Sequence, residues 1–225
     1  MKVVDLPLEI SPNIRVFPGS PKPSFIRWSK FDIHGYDSEV MFLSTHTGTH
    51  IDAPSHFISG ADNINQVAIN RFVCKNTLLL KMEQEANQMI TRDDIIETGC
   101  NIYEKDTIIF STGWEKHYEK DNNYVSDNPG LSADAAKYLV EKKVNAIAID
   151  GPSIDIGVDN NFTAHKIFPS NDTLIIENLC NLEKLNNQRL TLIVTPLKLI
   201  GASGSPVRAI DKLGYISFYR LLQLI

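Results

Sequence analysis

The chain has 225 residues, a length that suits one large domain or two small ones. Its 22 Lys and Arg residues against 27 Asp and Glu residues give a formal net charge of −5, and this acidic balance argues against nucleic-acid binding. There is no signal-peptide core and no apolar window of about 18 residues, so we expect no membrane partner. Three widely spaced cysteines argue against a disulfide framework, and we expect a cytoplasmic protein.

In chain order, the sequence begins with about 70 residues rich in proline and aromatic side chains, which favour short strands and fixed loops over helices. Apolar runs bounded by turn residues then alternate with helical patterns. They predict a strand over Thr77–Met82, a helix over Thr91–Thr98, a strand over Asp106–Ser111, a helix over Ser132–Lys143, a strand over Asn145–Asp150, a short helical turn over Phe162–Phe168, and strands over Thr173–Glu177 and Leu190–Lys198. This alternation predicts a single α/β domain over residues 1–225.

Capping residues mark the starts of the two longer helices. Thr91 is followed three residues later by Asp94, an aspartate variant of the capping box. Ser132 is a suitable N-cap for the second helix, and the spacing of Ala136, Leu139 and Val140 places these side chains on one helical face.

The most informative stretch is Thr45–Phe57, which reads THTGTHIDAPSHF. It holds four polar groups at even positions, which an extended strand would point to one face: His46, His50, Asp52 and His56. A straight strand would separate the first and last of them by about 33 Å. The four groups can therefore converge only if the chain bends, and Gly48 and Pro54 are the residues that permit bends.

Two imidazoles and one carboxylate are the ligand set expected for Zn²⁺, Mn²⁺ or Fe²⁺, with positions left open for water or substrate. We expect His46, His50 and Asp52 to bind such an ion, and His56 to be either a fourth ligand or a free acid/base. The same ligand set is the facial triad of non-haem iron oxygenases. From these residues alone, a hydrolase, an oxygenase and a non-enzymatic metal-binding module all remain open.

Other candidates lie elsewhere in the chain. Asp150, Ser153 and Asp155 follow a predicted buried strand, where α/β folds place their site loops, with ordinary turn chemistry as the alternative. Of these, Asp150 and Ser153 are candidate substrate-binding residues. Phe17 is a candidate wall for an aromatic substrate, although such aromatic residues more often belong to a core. Glu177 ends a predicted buried strand, where a carboxylate is costly unless it is hydrated, paired or metal-bound.

The motif HTGTHIDAPSHF resembles the H-x-G-T-H-x-D-x-P-x-H-F signature of the cyclase family of metal-dependent hydrolases, which includes bacterial kynurenine formamidase and isatin hydrolase. Further segments are similar to other elements of that family: Phe17–Gly19, Ser111–Trp114, Ile149–Asp155, His165 with Glu177, Pro196–Lys198 and Gly204–Arg208. Ser20 and Ser203 depart from the family pattern, because many relatives carry an acid at these places. The resemblance thus covers almost the whole chain.

The resemblance implies a swivelling β/β/α fold with a mixed central sheet, assembled as a homodimer or tetramer. It also implies one or two divalent ions per chain, with Zn²⁺ as the first expectation and Mn²⁺ as the second. The implied ligands are His46, His50 and Asp52 for one ion and Asp52, His165 and Glu177 for the other. His56 would be the catalytic acid/base, and residues 209–225 would extend beyond the usual end of the family.

The implied activity is hydrolysis of a small amide, with N-formylkynurenine as the first expected substrate. The metal would acidify a water molecule, and His56 would pass a proton from that water to the leaving nitrogen. A cyclic amide, opened as in isatin hydrolysis, is the alternative substrate class. The oxygenase is the alternative of another class, and the pair His165 and Glu177 argues against it because a mononuclear oxygenase needs no second ligand set.

Overall fold

The computed structural model describes residues 2–213. In this range the strands are β1 (Lys2–Asp5), β2 (Ser24–Ser29), β3 (Ser38–Phe42), β4 (His50–Asp52), β5 (Val73–Lys81), β6 (Met89–Ile90), β7 (Thr107–Ser111), β8 (Gly130–Leu131), β9 (Ala146–Ile149), β10 (Leu174–Glu177), β11 (Arg189–Pro196) and β12 (Gly204–Leu213). The helices are α1 (Phe31–His34), α2 (Arg92–Glu97), α3 (Ala133–Glu141) and α4 (Thr163–Ile167). Within the described range, no helix has the length and apolar composition needed to cross a membrane.

Seven strands close into a barrel. The strands β12, β11, β5, β7, β9, β10 and β4 pair in that order, and β4 pairs again with β12 to complete the ring. The pairs β5–β7, β7–β9 and β9–β10 are parallel, whereas the pairs that involve β4, β11 and β12 are antiparallel. The predicted α/β domain with a mixed central sheet is therefore confirmed, and the ring unites strands from both halves of the sequence.

Side chains along the barrel strands alternate between two cores. On β9, Ala146 and Ala148 belong to the core inside the barrel, whereas Ile147 and Ile149 belong to the core under the helices. The neighbouring strands follow the same alternation, and α2, α3 and α4 cover the outer core with buried apolar side chains. The barrel strands are buried on both faces, and this is why their sequences are near-continuous apolar runs.

The five predicted strands are confirmed as β5, β7, β9, β10 and β11, with small differences at their ends. β5 begins at Val73, before the predicted start, because Cys74 still pairs with β11 and packs in the barrel core. α2 and α3 are also confirmed. Thr91 and Asp94 form the predicted capping box, since Asp94 Oδ2 accepts a hydrogen bond from Thr91 N at 2.7 Å, and Ser132 caps α3.

The N-terminal region contains the expected short strands and, between β2 and β3, the short helix α1. This four-residue turn was not expected, and it ends at Gly35, whose φ of 78° suits glycine. β2 and β3 pair only with each other among the described strands. Their hairpin exposes a run of large apolar side chains: Ile26, Trp28, Phe31, Ile33, Tyr36, Val40, Met41 and Phe42.

The described part of the chain ends within the sheet. β12 continues to Leu213 and pairs with β1, so residues 209–213 belong to the sheet. The remainder of the expected C-terminal extension, residues 214–225, lies outside the described residues.

Candidate metal centre and substrate cleft

His50 and Glu177 face each other across two antiparallel strands. β4 and β10 pair in a register that sets His50 opposite Glu177 and Asp52 opposite Ile175. Residues that lie opposite one another share a face of the sheet, and His50 Nε2 is 3.4 Å from Glu177 Oε2. Ile175 belongs to the outer core, so this polar pair lies on the face that the helices cover.

His46 reaches the same place because the chain turns at Gly48. Gly48 has a φ of +63°, and a Cβ there would approach the Ile14 side chain to 3.1 Å. On the opposite side, Gly204 leaves room for the imidazole, since a Cβ there would lie 2.7 Å from His46 Cε1. His46 Nδ1 consequently lies 2.7 Å from Asp52 Oδ1. The bend at Gly48, which the motif residues need in order to converge, is therefore present.

Two groups of metal-ligating side chains overlap at Asp52. The members of each group offer ligand atoms within 4.8 Å of one another: His46, His50 and Asp52, and Asp52, His165 and Glu177. Asp52 Oδ1 faces the first group, whereas Asp52 Oδ2 lies 3.7 Å from His165 Nε2. This Oδ2 atom is buried and has no hydrogen-bond partner among the described residues. Such an atom is costly to bury, and a bound cation would compensate it, so the residues fit a metal ion.

His165 is oriented by a second carboxylate. His165 Nε2 lies 3.2 Å from Glu177 Oε1, while His165 Nδ1 lies 2.5 Å from Asp155 Oδ2. Asp155 is 2% exposed, and its other oxygen accepts a hydrogen bond from Ala164 N at the start of α4. A carboxylate on the far nitrogen of a histidine fixes the tautomer that leaves the near nitrogen free to ligate a metal.

The carboxylates of the cluster govern the protonation of its histidines. Burial lowers the pKa of His165, but Glu177 and Asp155 more than offset this effect and raise the pKa well above its usual value. Burial also lowers the pKa of His46, and Asp52 again reverses the shift. Conversely, burial raises the pKa of Asp52, yet the neighbouring imidazoles of His165 and His46 hold it well below its usual value. The electrostatic field of the cluster therefore favours positive charge.

His56 lies beside the cluster and belongs to neither ligand group. It ends a short 3₁₀ turn, Pro54–His56, and its ring stacks on His46 with 3.9 Å between the ring centroids. Burial lowers the pKa of His56 to about 4, although the charge of Asp52 opposes the shift. His56 is therefore neutral near pH 7, with one ring nitrogen able to accept a proton.

An open cleft of about 850 Å³ leads to the cluster, and aromatic rings form part of its wall. The Phe57 and Phe162 ring centroids are 5.5 Å apart, and those of Phe17 and Phe162 are 6.1 Å apart. Ser153 also lines the cleft. An apolar wall with a few convergent polar groups is the usual composition of a small-molecule site.

Asp150 does not line this cleft. It is fully buried, and its carboxylate accepts hydrogen bonds from Thr112 Oγ1 at 2.6 Å and from Gly113 N at 2.7 Å. Burial raises the pKa of Asp150, and these hydrogen bonds oppose the shift. The contacts connect the end of β9 to the loop after β7, and the expected contact of Asp150 with substrate stays a prediction.

Residues 4–156 match the model of a family described as a putative cyclase. The chain belongs to the cyclase family. It is 29% identical over 210 residues to a kynurenine formamidase of Bacillus thuringiensis subsp. konkukian (strain 97-27), which covers 93% of this chain and 96% of the relative. A solved isatin hydrolase bound to the product analogue thioisatinate is similar with a TM-score of 0.84 and 26% identity, covering 93% of this chain and 91% of the other. A solved potential metal-dependent hydrolase with cyclase activity has a TM-score of 0.78 and 27% identity, covering 93% and 96%.

In this cyclase-family chain the structure brings together all five residues expected to ligate metal: His46, His50, Asp52, His165 and Glu177. Sequence reasoning missed Arg15, Phe162 and Asn178. It gave no role to Phe57 and no specific role to Asp155, although both belong to the quoted motifs. Asn178 Nδ2 donates a hydrogen bond to the carbonyl oxygen of Gly48. The same oxygen lies 2.9 Å from His50 Nδ1 and so holds the His50 ring in place. The only sequence signal for Arg15, Phe162 and Asn178 was their position near the quoted motifs.

Proposed function

We propose that this chain is a metal-dependent hydrolase of small amides and that an aryl formamide such as N-formylkynurenine is its substrate. The observation that carries the proposal is the overlap of two ligand groups at Asp52, whose Oδ2 atom is buried without a partner. The neutral His56 beside the cluster and the aromatic cleft that leads to it support an amide with an aromatic group. The similarity to a kynurenine formamidase supports the formamide.

The donor set fits a divalent cation, because imidazole and carboxylate together suit Zn²⁺ and Mn²⁺. The first group would hold one ion, and the second group would hold another that shares Asp52. When bound, such an ion acidifies water towards a pKa of about 7 and polarises a carbonyl group. We propose Zn²⁺ first and Mn²⁺ second, with one or two ions per chain.

The side chains around the cluster perform the remaining tasks. The neutral imidazole of His56 accepts a proton from the attacking water and donates it to the leaving nitrogen as the C–N bond breaks. Phe57 and Phe162 pack against the aryl group and exclude water from it. The products are formate and an aryl amine.

A cyclic amide is the second candidate substrate, and the similarity to an isatin hydrolase is the observation that favours it. Opening a cyclic amide needs the same water and the same proton transfer by His56. The oxygenase alternative is disfavoured because it needs one ligand group of two histidines and a carboxylate, whereas the described residues contain two groups that overlap.

We also propose that the chain forms a homo-oligomer through the β2–β3 hairpin, with a second copy of the chain as the partner. Two-stranded hairpins are marginally stable by themselves, and contiguous exposed apolar patches usually mark an interface. On this hairpin Ile26 pairs with Val40 on a shared face, where their side chains are 57% and 48% exposed.

The three free cysteines fit a reducing compartment, which supports a cytoplasmic location.

A comparison of two substrates tests the proposed activity. Protein stripped of metal and reloaded with Zn²⁺ or Mn²⁺ is assayed separately with N-formylkynurenine and with isatin. We expect formate release from N-formylkynurenine with a higher kcat/KM than the opening of isatin. A higher kcat/KM for isatin transfers the assignment to the cyclic amide, and failure of both substrates with both ions contradicts the proposed function.

A further inference from the structure

Arg15 differs in chemistry from the rest of the cleft wall. Among residues 2–213 it is the one Lys or Arg side chain that lines the cleft, where its neighbours include Phe17 and Phe162. An isolated cation in an apolar site fixes the orientation of a ligand when that ligand carries an anionic group. Arg15 is therefore relevant to the choice of substrate and not to the breaking of the C–N bond.

The guanidinium group is held in place by the loop that follows β7. Arg15 Nη1 donates to the carbonyl of Asp121, and Arg15 Nη2 lies 3.4 Å from the carbonyl of Glu119. The group also lies over the Tyr118 ring, 6.0 Å from its centroid. Arginine has five N–H donors and these contacts use two, so three have no partner among residues 2–213.

Arg15 also has no anionic partner of its own within residues 2–213. Four other arginines form ion pairs with aspartates in this part of the chain: Arg27, Arg71, Arg189 and Arg208. The carboxylate of Asp121, whose carbonyl accepts from Arg15, has another partner, since Asp121 Oδ1 accepts from Asn123 N at 2.8 Å. A guanidinium group that is fixed in place, has spare N–H donors and lacks a carboxylate partner is suited to bind the carboxylate of a ligand.

We propose that Arg15 is a specificity-determining residue that binds a carboxylate on the substrate, so that the preferred substrate is an aromatic amide carrying a negatively charged side group. This inference rests on the proposed function and names the substrate class within it. The planar guanidinium matches a carboxylate with two parallel hydrogen bonds, and the aromatic wall holds the ring between that carboxylate and the amide. The site then favours an anionic aryl formamide over a neutral cyclic amide such as isatin.

The test uses a pair of substrates that differ only in charge: N-formylkynurenine and the same compound with a carboxamide in place of its carboxylate. In the metal-loaded wild type we expect kcat/KM to be about 10- to 100-fold higher for the carboxylate, the range expected for a charge-assisted hydrogen-bonded pair. In Arg15→Met this preference should fall to within about threefold, chiefly through KM for the carboxylate, because uniform binding is lost. Arg15→Lys should retain part of the preference.

Arg92→Met is the matched control, since Arg92 is exposed on α2, lies over Tyr138 and is not part of the cleft wall. It should keep the wild-type preference. If Arg15 only anchored the loop, Arg15→Met would lower kcat/KM equally for both substrates, and this result overturns the proposal. A wild type that shows no preference also overturns it.

Turnover of the carboxamide by the wild type reports on the proposed function independently, because that substrate does not need Arg15. If neither compound is hydrolysed, the proposed function fails. Calorimetric binding of kynurenine and its carboxamide to the metal-loaded wild type then still decides the inference. Tighter binding of the carboxylate by about tenfold or more supports the role of Arg15, and equal affinities refute it.

Discussion

His56 and His46 belong to one motif but take different positions around the cluster. Their rings stack with 3.9 Å between centroids, yet only His46 belongs to a ligand group. Spacing alone left His56 as either a ligand or an acid/base. It ends the 3₁₀ turn Pro54–His56 and belongs to neither ligand group, and burial lowers its pKa to about 4, so that its imidazole is neutral near pH 7.

We predict that His56→Ala lowers kcat for amide hydrolysis by about 100- to 10,000-fold, the usual contribution of a general acid/base. Metal content measured by mass spectrometry should stay at the wild-type level, because His56 lies outside both ligand groups. The control is His117→Ala, an exposed histidine away from the cleft. Loss of metal in His56→Ala would instead make His56 a ligand, and unchanged kcat would remove its role.

Asp155 was the carboxylate that sequence could not assign. It stands in a segment with Asp150 and Ser153, and local patterns do not distinguish an acid that orients a histidine from one that caps a turn. The distinction depends on α4, which returns His165 to within 2.5 Å of Asp155 Oδ2. Such a contact forms only in the folded chain.

We predict that Asp155→Asn weakens metal binding by about 10- to 100-fold, because it removes the carboxylate that holds the tautomer of His165. Titration of stripped protein with Zn²⁺ against a competing chelator measures the effect. Asp159→Asn is the control, since Asp159 Oδ2 accepts from Thr163 N without a hydrogen bond to His165. Equal affinities for wild type and Asp155→Asn would show that Asp155 has no part in the metal centre.

At the scale of elements, the individual strands were predictable and their pairing was not. Apolar runs identified β5, β7, β9, β10 and β11, because burial on both faces leaves a local signature. The register that sets His50 opposite Glu177 joins residues more than a hundred positions apart. The three-residue β4 has too few residues for a periodic pattern, and its closure against β12 requires Gly204.

The β2–β3 hairpin provides a prediction about assembly. We expect the wild type to form a dimer or larger oligomer and Ile26→Glu to shift it towards monomer, because a charge placed on the shared apolar face opposes its burial. Size-exclusion chromatography with light scattering measures the mass. Ile200→Glu, at a side chain that is 91% exposed and outside the hairpin, should behave as the wild type. A monomeric wild type at micromolar concentration would contradict the proposal.

At the scale of the whole molecule, the closed barrel explains why candidate ligands from both halves of the chain meet. The motif of β4 and the distal pair of His165 and Glu177 become neighbours because β4 completes the ring between β10 and β12. Local motifs and the family resemblance were sufficient to name the five candidate ligands that the structure brings together. They were insufficient for the wall of the cleft, because Arg15, Phe57 and Phe162 come from separate loops that only the fold assembles.

The central claim is that amide hydrolysis depends on divalent ions held by the cluster around Asp52. The most direct measurement titrates metal-free protein with Zn²⁺ or Mn²⁺ in the absence of oxygen and follows formate release from N-formylkynurenine together with bound metal. We predict no turnover without metal and a rise in turnover that saturates at one or two ions per chain. Turnover by the metal-free protein, or turnover that requires oxygen, would contradict this account.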